Sequence, residues 1–238
     1  MLELFVYGPY FGMPDGSPFC TKALTLMKMS ALPFKVSKMS FKQAPKGKAP
    51  YLKDGETLIA DSHVIQQHLE TAHGVDFSAG YSPALIAQGW ALSRMVEEHL
   101  YFINLHFRWL DDENFRKGPA QFFNEVPALV RPLISKLVRG KQRKTLHLQG
   151  LGRHTEQQRV AFAKGDLDAI EATLDDKAFL LGAKPCGADA SVASFIWSVS
   201  APLFKTEIGE YARSRPKLMA YVERMKTNYF PELVSGTN

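Results

Sequence analysis

Several side chains in this sequence stand where local structure would give them chemistry. Ser17-Pro18-Phe19-Cys20 opens an apolar, periodic run. Serine is a favoured helix N-cap and proline a favoured first helical residue. A dithiol redox pair needs cysteine at both ends of such a motif, so Ser17 excludes dithiol exchange. Cys20, one turn into the helix, reads as a small buried hydrophobe. Lys48-Ala49-Pro50 leads into the short apolar run Tyr51-Leu52. Pro50 opens a strand, where proline is tolerated but removes a ladder donor. If the Ala49–Pro50 bond is cis, the Ala49 N–H and C=O are turned outward, free to pair with a peptide. Asp61-Ser62 begins an amphipathic run, and a helix N-terminus favours an anion through its unpaired N–H groups and its dipole. A strand edge beside a helix N-terminus suits a small peptide with a free carboxylate.

Other reactive residues carry less. His63, His68, His73, His99, His106 and His147 show no metal-ligand spacing with carboxylates or cysteines. His63 and His68 lie five apart and miss the i,i+4 ligand pair, so no metal site is expected. Arg139–Lys144, RGKQRK, reads as a solvated basic face near a helix end. Tyr101, Phe102, Leu105 and Trp109 follow helical spacing and read as packing between domains or in the core. Tyr10, Phe11, Met13, Tyr101, Phe107 and Trp109 supply a candidate apolar wall.

These residues need elements to hold them. Leu2–Tyr7 reads as a strand and Gly8–Gly16 as a loop, through Gly8-Pro9, Met13-Pro14 and Asp15-Gly16. The Ser17 helix ends at Leu32-Pro33. Phe34–Met39 reads as a second strand and Phe41–Gly47 as a basic loop. Asp54-Gly55 is a hairpin turn between Tyr51-Leu52 and Thr57–Ala60. Val64, Ile65, His68 and Leu69 share one face of a helix stopped at Gly74. Residues 1–75 thus form a compact α/β unit. After a linker, residues 82–238 show only helical patterns: Ser82–Leu110, Pro119–Leu148, Thr155–Leu174, Ala188–Ala201 and Pro216–Thr227, with a break at Asp111–Gly118.

Composition sets outer limits. The chain has 238 residues, two cysteines and a formal charge of +5. A disulfide framework is not expected, and the mild charge is weak support for nucleic-acid binding. No apolar run reaches the length of a membrane span. Leu2–Tyr7 lacks the basic start of a signal peptide, so a cytoplasmic location is expected.

Ser-Pro-Phe-Cys at the first helix, Ala-Pro before the third strand and Asp-Ser at the next helix resemble the thioredoxin-like domain of glutathione transferases. The helical second part matches that family's arrangement over essentially the whole chain. Phe11-Gly12-Met13-Pro14-Asp15, Glu97-Glu98-His99-Leu100-Tyr101, Arg108-Trp109 and Gly150-Leu151-Gly152-Arg153-His154 resemble the metaxin-like, failed-axon-connections-like branch. The resemblance implies an α/β N-terminal thioredoxin-like domain plus an all-α C-terminal domain. It implies glutathione as co-substrate, an apolar electrophile as its partner, and a homodimer.

Carried over residue by residue, the resemblance gives Ser17 as the hydroxyl that activates the glutathione thiol, with Tyr7 and Tyr10 as rivals. It gives Ala49 and Pro50, joined by a cis bond, as the backbone clamp and Asp61 and Ser62 as the γ-glutamyl carboxylate site. Lys48 would reach the glycine carboxylate, assisted by Lys42 and Lys46. One departure stands out: Asp189 matches a helix-start device of the family, but Cys186 replaces its hydroxyl. The alternative within the same family is a non-catalytic interaction protein of the metaxin-like type.

Overall fold

The structure is a computed structural model and describes residues 1–234. Its one sheet has the order β2-β1-β3-β4. β1 (Leu2–Val6) pairs in parallel with β2 (Phe34–Lys38) through the crossover helix α1 (Pro18–Met29). β3 (Tyr51–Asp54) runs antiparallel to β1 and turns at Gly55, φ 57°, into β4 (Thr57–Ala60). α2 (Ser62–His73) follows and stops at Gly74 in a left-handed cap, the conformation that glycine adopts without steric cost. Leu2, Leu4 and Val6 alternate inward and are buried with Leu26, Met27, Leu52, Ile65 and Leu69. The period-2 pattern of β1 and the helical stripes of α1 and α2 thus meet in one core.

The rest is helical: α3 (Pro83–Met95), α4 (Tyr101–Trp109), α5 (Asp112–Lys117), α6 (Arg131–Gln149), α7 (Glu156–Leu174), α8 (Gly187–Ser200), α9 (Glu207–Arg213), α10 (Pro216–Tyr229) and α11 (Pro231–Val234). Short 3₁₀ turns span Pro119–Phe123 and Leu151–Arg153. The sequence pattern over Ser82–Leu110 resolves into α3 and α4 joined by a π-helical turn, Val96–Leu100. α5 fills the expected break: Asp111 caps it by accepting the Asn114 N–H at 2.7 Å. The pattern over Pro119–Leu148 is interrupted between the 3₁₀ turn and α6. No described helix is long and apolar enough to cross a membrane.

α8 is the hub of the helical part. All but one of its residues are buried, and its Phe195 meets Phe19 of α1 edge-on with centroids 5.0 Å apart. Phe19 also meets Tyr101 at 4.9 Å. Tyr101 therefore serves packing, and Phe107 is buried in the core. The motif at Glu97–Tyr101 is structural too. Glu97, buried in the π turn, accepts from Lys22 Nζ at 2.8 Å, Ser191 Oγ at 2.7 Å and Arg94 at 2.5 Å. Burial lowers the Lys22 pKa, and the Glu97 carboxylate opposes that shift.

The Cys186 departure is resolved by Asp189. This buried carboxylate accepts from the Leu180 N–H, the Cys186 N–H and the Tyr221 hydroxyl at 3.0, 2.8 and 2.8 Å, and the Cys186 thiol lies 3.2 Å away. The start of α8 is thus tied by the acid, and the thiol donates to it. Burial raises the Asp189 pKa, and the donors oppose that rise.

Candidate functional site

The loop after β1 is built around one buried carboxylate. Asp15 Oδ2 accepts the Gly8 N–H and Oδ1 accepts the Ser17 N–H, both at 2.7 Å. One side chain therefore ties both ends of the loop and sets where α1 begins. Burial pushes the Asp15 pKa up to about 6 against the pull of those two N–H donors. Between the ends, Phe11 (φ 64°) and Gly12 (φ 71°) form a tight turn closed by the Met13 N–H on the Tyr10 carbonyl at 3.0 Å. Two successive positive φ values define the type I′ hairpin turn, which asks for Gly or Asn at both places. Phe11 meets that demand at a steric cost.

Ser17 occupies the N-cap position of α1, but its side chain makes no capping bond. Burial and the Asp15 carboxylate push the Cys20 thiol well above its ordinary pKa, while the Tyr7 main chain and the Ser17 side chain oppose the shift. Cys20 is fully buried and protonated, so the reactive thiolate form is suppressed.

The Ala49–Pro50 bond is cis, as the placement of Lys48-Ala49-Pro50 and the resemblance implied. The expected freedom of the Ala49 N–H is corrected: it donates to the Tyr7 hydroxyl at 3.3 Å. Tyr7, just past β1, is half-buried, and burial pushes its pKa up to about 12. It is therefore a neutral phenol at physiological pH, with its own O–H available to a further acceptor. Past the clamp, the Asp61 N–H donates to the Pro50 carbonyl at 3.3 Å. Asp61 sits at φ 94° and caps α2 by accepting the His63 N–H at 2.9 Å. A non-glycine residue held at such a φ is a strained feature that clusters at functional sites.

Ser62, the first residue of α2, is 1% exposed, and its Oγ has no hydrogen-bond partner. An unpaired buried hydroxyl costs about 1–3 kcal/mol. Here it lies at a helix N-terminus, among donors suited to an anion.

Four hydrogen bonds and the peptide links between them thus connect Ser17, Asp15, Gly8, Tyr7, Ala49, Pro50 and Asp61, with Ser62 next in the chain. Lys48, Lys42 and Lys46 lie outside this set on the exposed loop before the clamp. Arg139 is not part of a free basic face. It donates to the Trp109 and Leu110 carbonyls at 3.0 Å each and pairs with Asp112.

The apolar wall is centred on a residue that the sequence pattern did not select. Phe122, in the 3₁₀ turn, meets Tyr10, Phe11, Trp109 and Tyr7 at centroid distances of 4.9, 5.6, 6.2 and 6.3 Å. Phe204 joins through Phe11 at 5.2 Å. Met13 and Phe107 are buried in the interior, and Tyr101 packs on Phe19. Gly16 is what lets Phe122 in, because a Cβ there would stand 2.9 Å from the ring. A cavity of about 420 Å³ opens beside Tyr7, Tyr10, Ser37 and Lys38. For Asp15 the available signal is an Asx residue two before the N-cap Ser17, whose N–H its side chain accepts. Phe122 had no periodic signal.

The glutathione S-transferase N-terminal domain family matches residues 18–114, and the glutathione S-transferase C-terminal domain family matches residues 163–225. The chain belongs to the glutathione S-transferase family. Members of this family use glutathione as co-substrate. The chain is 29% identical to the isoprene-epoxide–glutathione S-transferase of Rhodococcus sp. strain AD45, across 96% of this chain and 99% of that protein. It is 27% identical to Failed axon connections of Drosophila melanogaster, across 92% of this chain and 56% of that protein. It is 26% identical to human metaxin-1, across 97% of this chain and 51% of that protein. These relatives place the chain in a metaxin-like branch of the family, as its motifs suggested. Among solved structures, the beta-etherase LigF of Sphingobium sp. strain SYK-6 superposes with a TM-score of 0.67 at 17% identity, covering 99% of both chains. Human glutathione-S-transferase T1-1 superposes at 0.62 and 19% identity, covering 99% of this chain and 87% of that one. These likenesses show the transferase fold, with its thioredoxin-like sheet and helical C-terminal part.

Proposed function

We propose that this chain is a glutathione transferase that binds glutathione along the Ala49–Pro50 edge and passes its sulfur to an apolar electrophile. The observation that carries this reading is the buried, unpartnered Ser62 hydroxyl at the N-terminus of α2. In this reading Ser62 and the α2 N–H groups take the γ-glutamyl carboxylate, and Asp61 holds the helix start in place. Ala49 and Pro50 clamp the cysteinyl unit through the Ala49 carbonyl, and Lys48 reaches the glycine carboxylate. Ser17 donates to the sulfur. A free thiol with a pKa near 8.5 is only about three per cent ionised at pH 7, and lowering it by roughly two units would ionise most of it. The epoxide substrate of the Rhodococcus relative fits the same class of electrophile, and the aromatics around Phe122 supply its apolar wall.

The boundary near residues 75–82, the cytoplasmic location and a homodimer belong to this proposal. For the dimer, the support is Trp90 of α3, half exposed and packed against His63 of α2 at 4.9 Å, with Val64 also exposed.

A second reading, a non-catalytic interaction protein, is favoured by the Tyr7–Ala49 hydrogen bond, which occupies one arm of the clamp, and by the metaxin relatives. Calorimetry with reduced glutathione, backed by retention on glutathione-agarose, separates the two. Ser62→Ala is expected to weaken binding by about 1.5–3 kcal/mol, as for a lost hydrogen bond to a charged group. Ser17→Ala is expected to leave affinity nearly intact while raising the pKa of the bound thiol, read from thiolate absorbance against pH. An unchanged titration would move that role to Tyr7 or Tyr10. No binding by the unmutated chain would establish the second reading.

A further inference from the structure

Asp54, His68 and His73 stand at the far ends of the two elements that carry the clamp. Asp54 closes β3 at the hairpin turn, whose other end holds Tyr51 beside Pro50. His68 lies in the second half of α2 and His73 is its last residue. Five residues along a helix rotate two side chains about 140° apart, so their spacing alone predicts no shared ligand. The tertiary structure gathers them all the same. His68 Nε2 lies 2.9 Å and His73 Nε2 lies 2.7 Å from the same oxygen, Asp54 Oδ2. The three donor atoms all lie within 4.8 Å of one another. The two imidazole rings meet edge-on, centroids 5.6 Å apart, and so aim separate nitrogens at one point.

The chemistry of this donor set is specific. Two imidazole nitrogens and one carboxylate oxygen suit a borderline divalent cation and leave coordination positions for water. The side chains are 21%, 27% and 27% exposed, so an ion has access without unfolding. Tetrahedral bonds of about 2.0–2.1 Å would set the donors about 3.3 Å apart. The observed contacts must open by only about half an ångström, which side-chain rotation supplies.

We propose that Asp54, His68 and His73 form a binding site for one divalent transition-metal ion of the zinc class, which ties the tip of the β3–β4 hairpin to the C-terminal end of α2. The site is structural. Because it binds the folded chain and joins residues that unfolding separates, occupancy stabilises the domain by mass action. It does not depend on whether glutathione binds.

The test uses the full chain stripped of metal by chelator and titrated with zinc chloride in a calorimeter. One equivalent is expected to bind, and the thermal midpoint is expected to rise with zinc. His73→Gln and Asp54→Asn, each checked for folding by circular dichroism, are expected to weaken binding at least tenfold and to abolish the rise. His147→Gln, outside the cluster, is expected to leave both intact. Imidazole nitrogen NMR of the unmutated chain gives the same answer without a variant: the His68 and His73 resonances should shift at one equivalent. Absence of one-equivalent binding would overturn the proposal. So would binding that persists in both variants, or that moves other imidazoles, leaving the three residues as hydrogen-bonded pairs alone.

Discussion

The Tyr7 hydroxyl accepts the Ala49 N–H at 3.3 Å, joining the end of β1 to the residue before the cis proline. The phenol thereby satisfies a buried main-chain donor and keeps its own proton for another acceptor. Tyr7→Phe removes the acceptor without opening a cavity. It is expected to cost about 1–3 kcal/mol of stability in urea unfolding, the penalty of a buried N–H left unpaired. If a bound glutathione sulfur is the other acceptor, the same substitution raises the pKa of that thiol.

Asp15 predicts a pH dependence of stability. Its pKa rises from 3.8 to about 6 on folding. A carboxyl raised by folding binds its proton more tightly in the native state. Its contribution is therefore fully present below about pH 4 and is lost as pH rises through about 6. Two units correspond to about 2–3 kcal/mol. Asp15→Asn is expected to remove this slope. The difference in unfolding free energy between the native chain and the variant, measured from pH 4.5 to 7, isolates it from Asp166 and Asp189, which burial also raises. A constant difference across that range would show that Asp15 does not titrate there.

Gly16 and Phe122 are expected to be coupled. A methyl group on Gly16 would stand 2.9 Å from the Phe122 ring and 3.2 Å from the Tyr10 Cβ. Gly16→Ala should displace the ring and destabilise the chain by about 1–3 kcal/mol, the usual cost of overpacking. In a Phe122→Ala background most of that cost should vanish, giving a measurable coupling in a double-mutant cycle. On the proposed function, Phe122→Ala also raises KM for an apolar electrophile while leaving glutathione affinity unchanged.

The Lys22–Glu97 pair should respond asymmetrically. Glu97 has three partners, Lys22, Arg94 and Ser191, so Lys22→Met leaves its charge partly compensated. Glu97→Leu strands a buried ammonium group and is expected to cost about 3–5 kcal/mol. Denaturant titration of the two variants reads the difference. Equal losses would mean that Arg94 contributes nothing to holding Glu97.

Local signals carried the architecture. Ser17-Pro18 marks the start of α1, Asp54-Gly55 turns the hairpin, and Gly74 stops α2. In each case a few neighbouring residues fix their own dihedral angles, so the reading needs no knowledge of distant contacts. α5 and α9 escaped because helices of 6 and 7 residues give too few turns for a periodic stripe.

What only the tertiary structure decided are the pairings made across long stretches of chain. Tyr7 meets Ala49, Phe122 closes over Gly16, Tyr221 reaches Asp189 at the start of α8, and Arg139 turns inward to the Trp109 carbonyl. His68 and His73 are separated around their helix by its period and brought together by the hairpin packed against it. Sequence spacing reports which side chains share a face of one element; which faces meet is set by how the elements pack, and that decision belongs to the whole core at once.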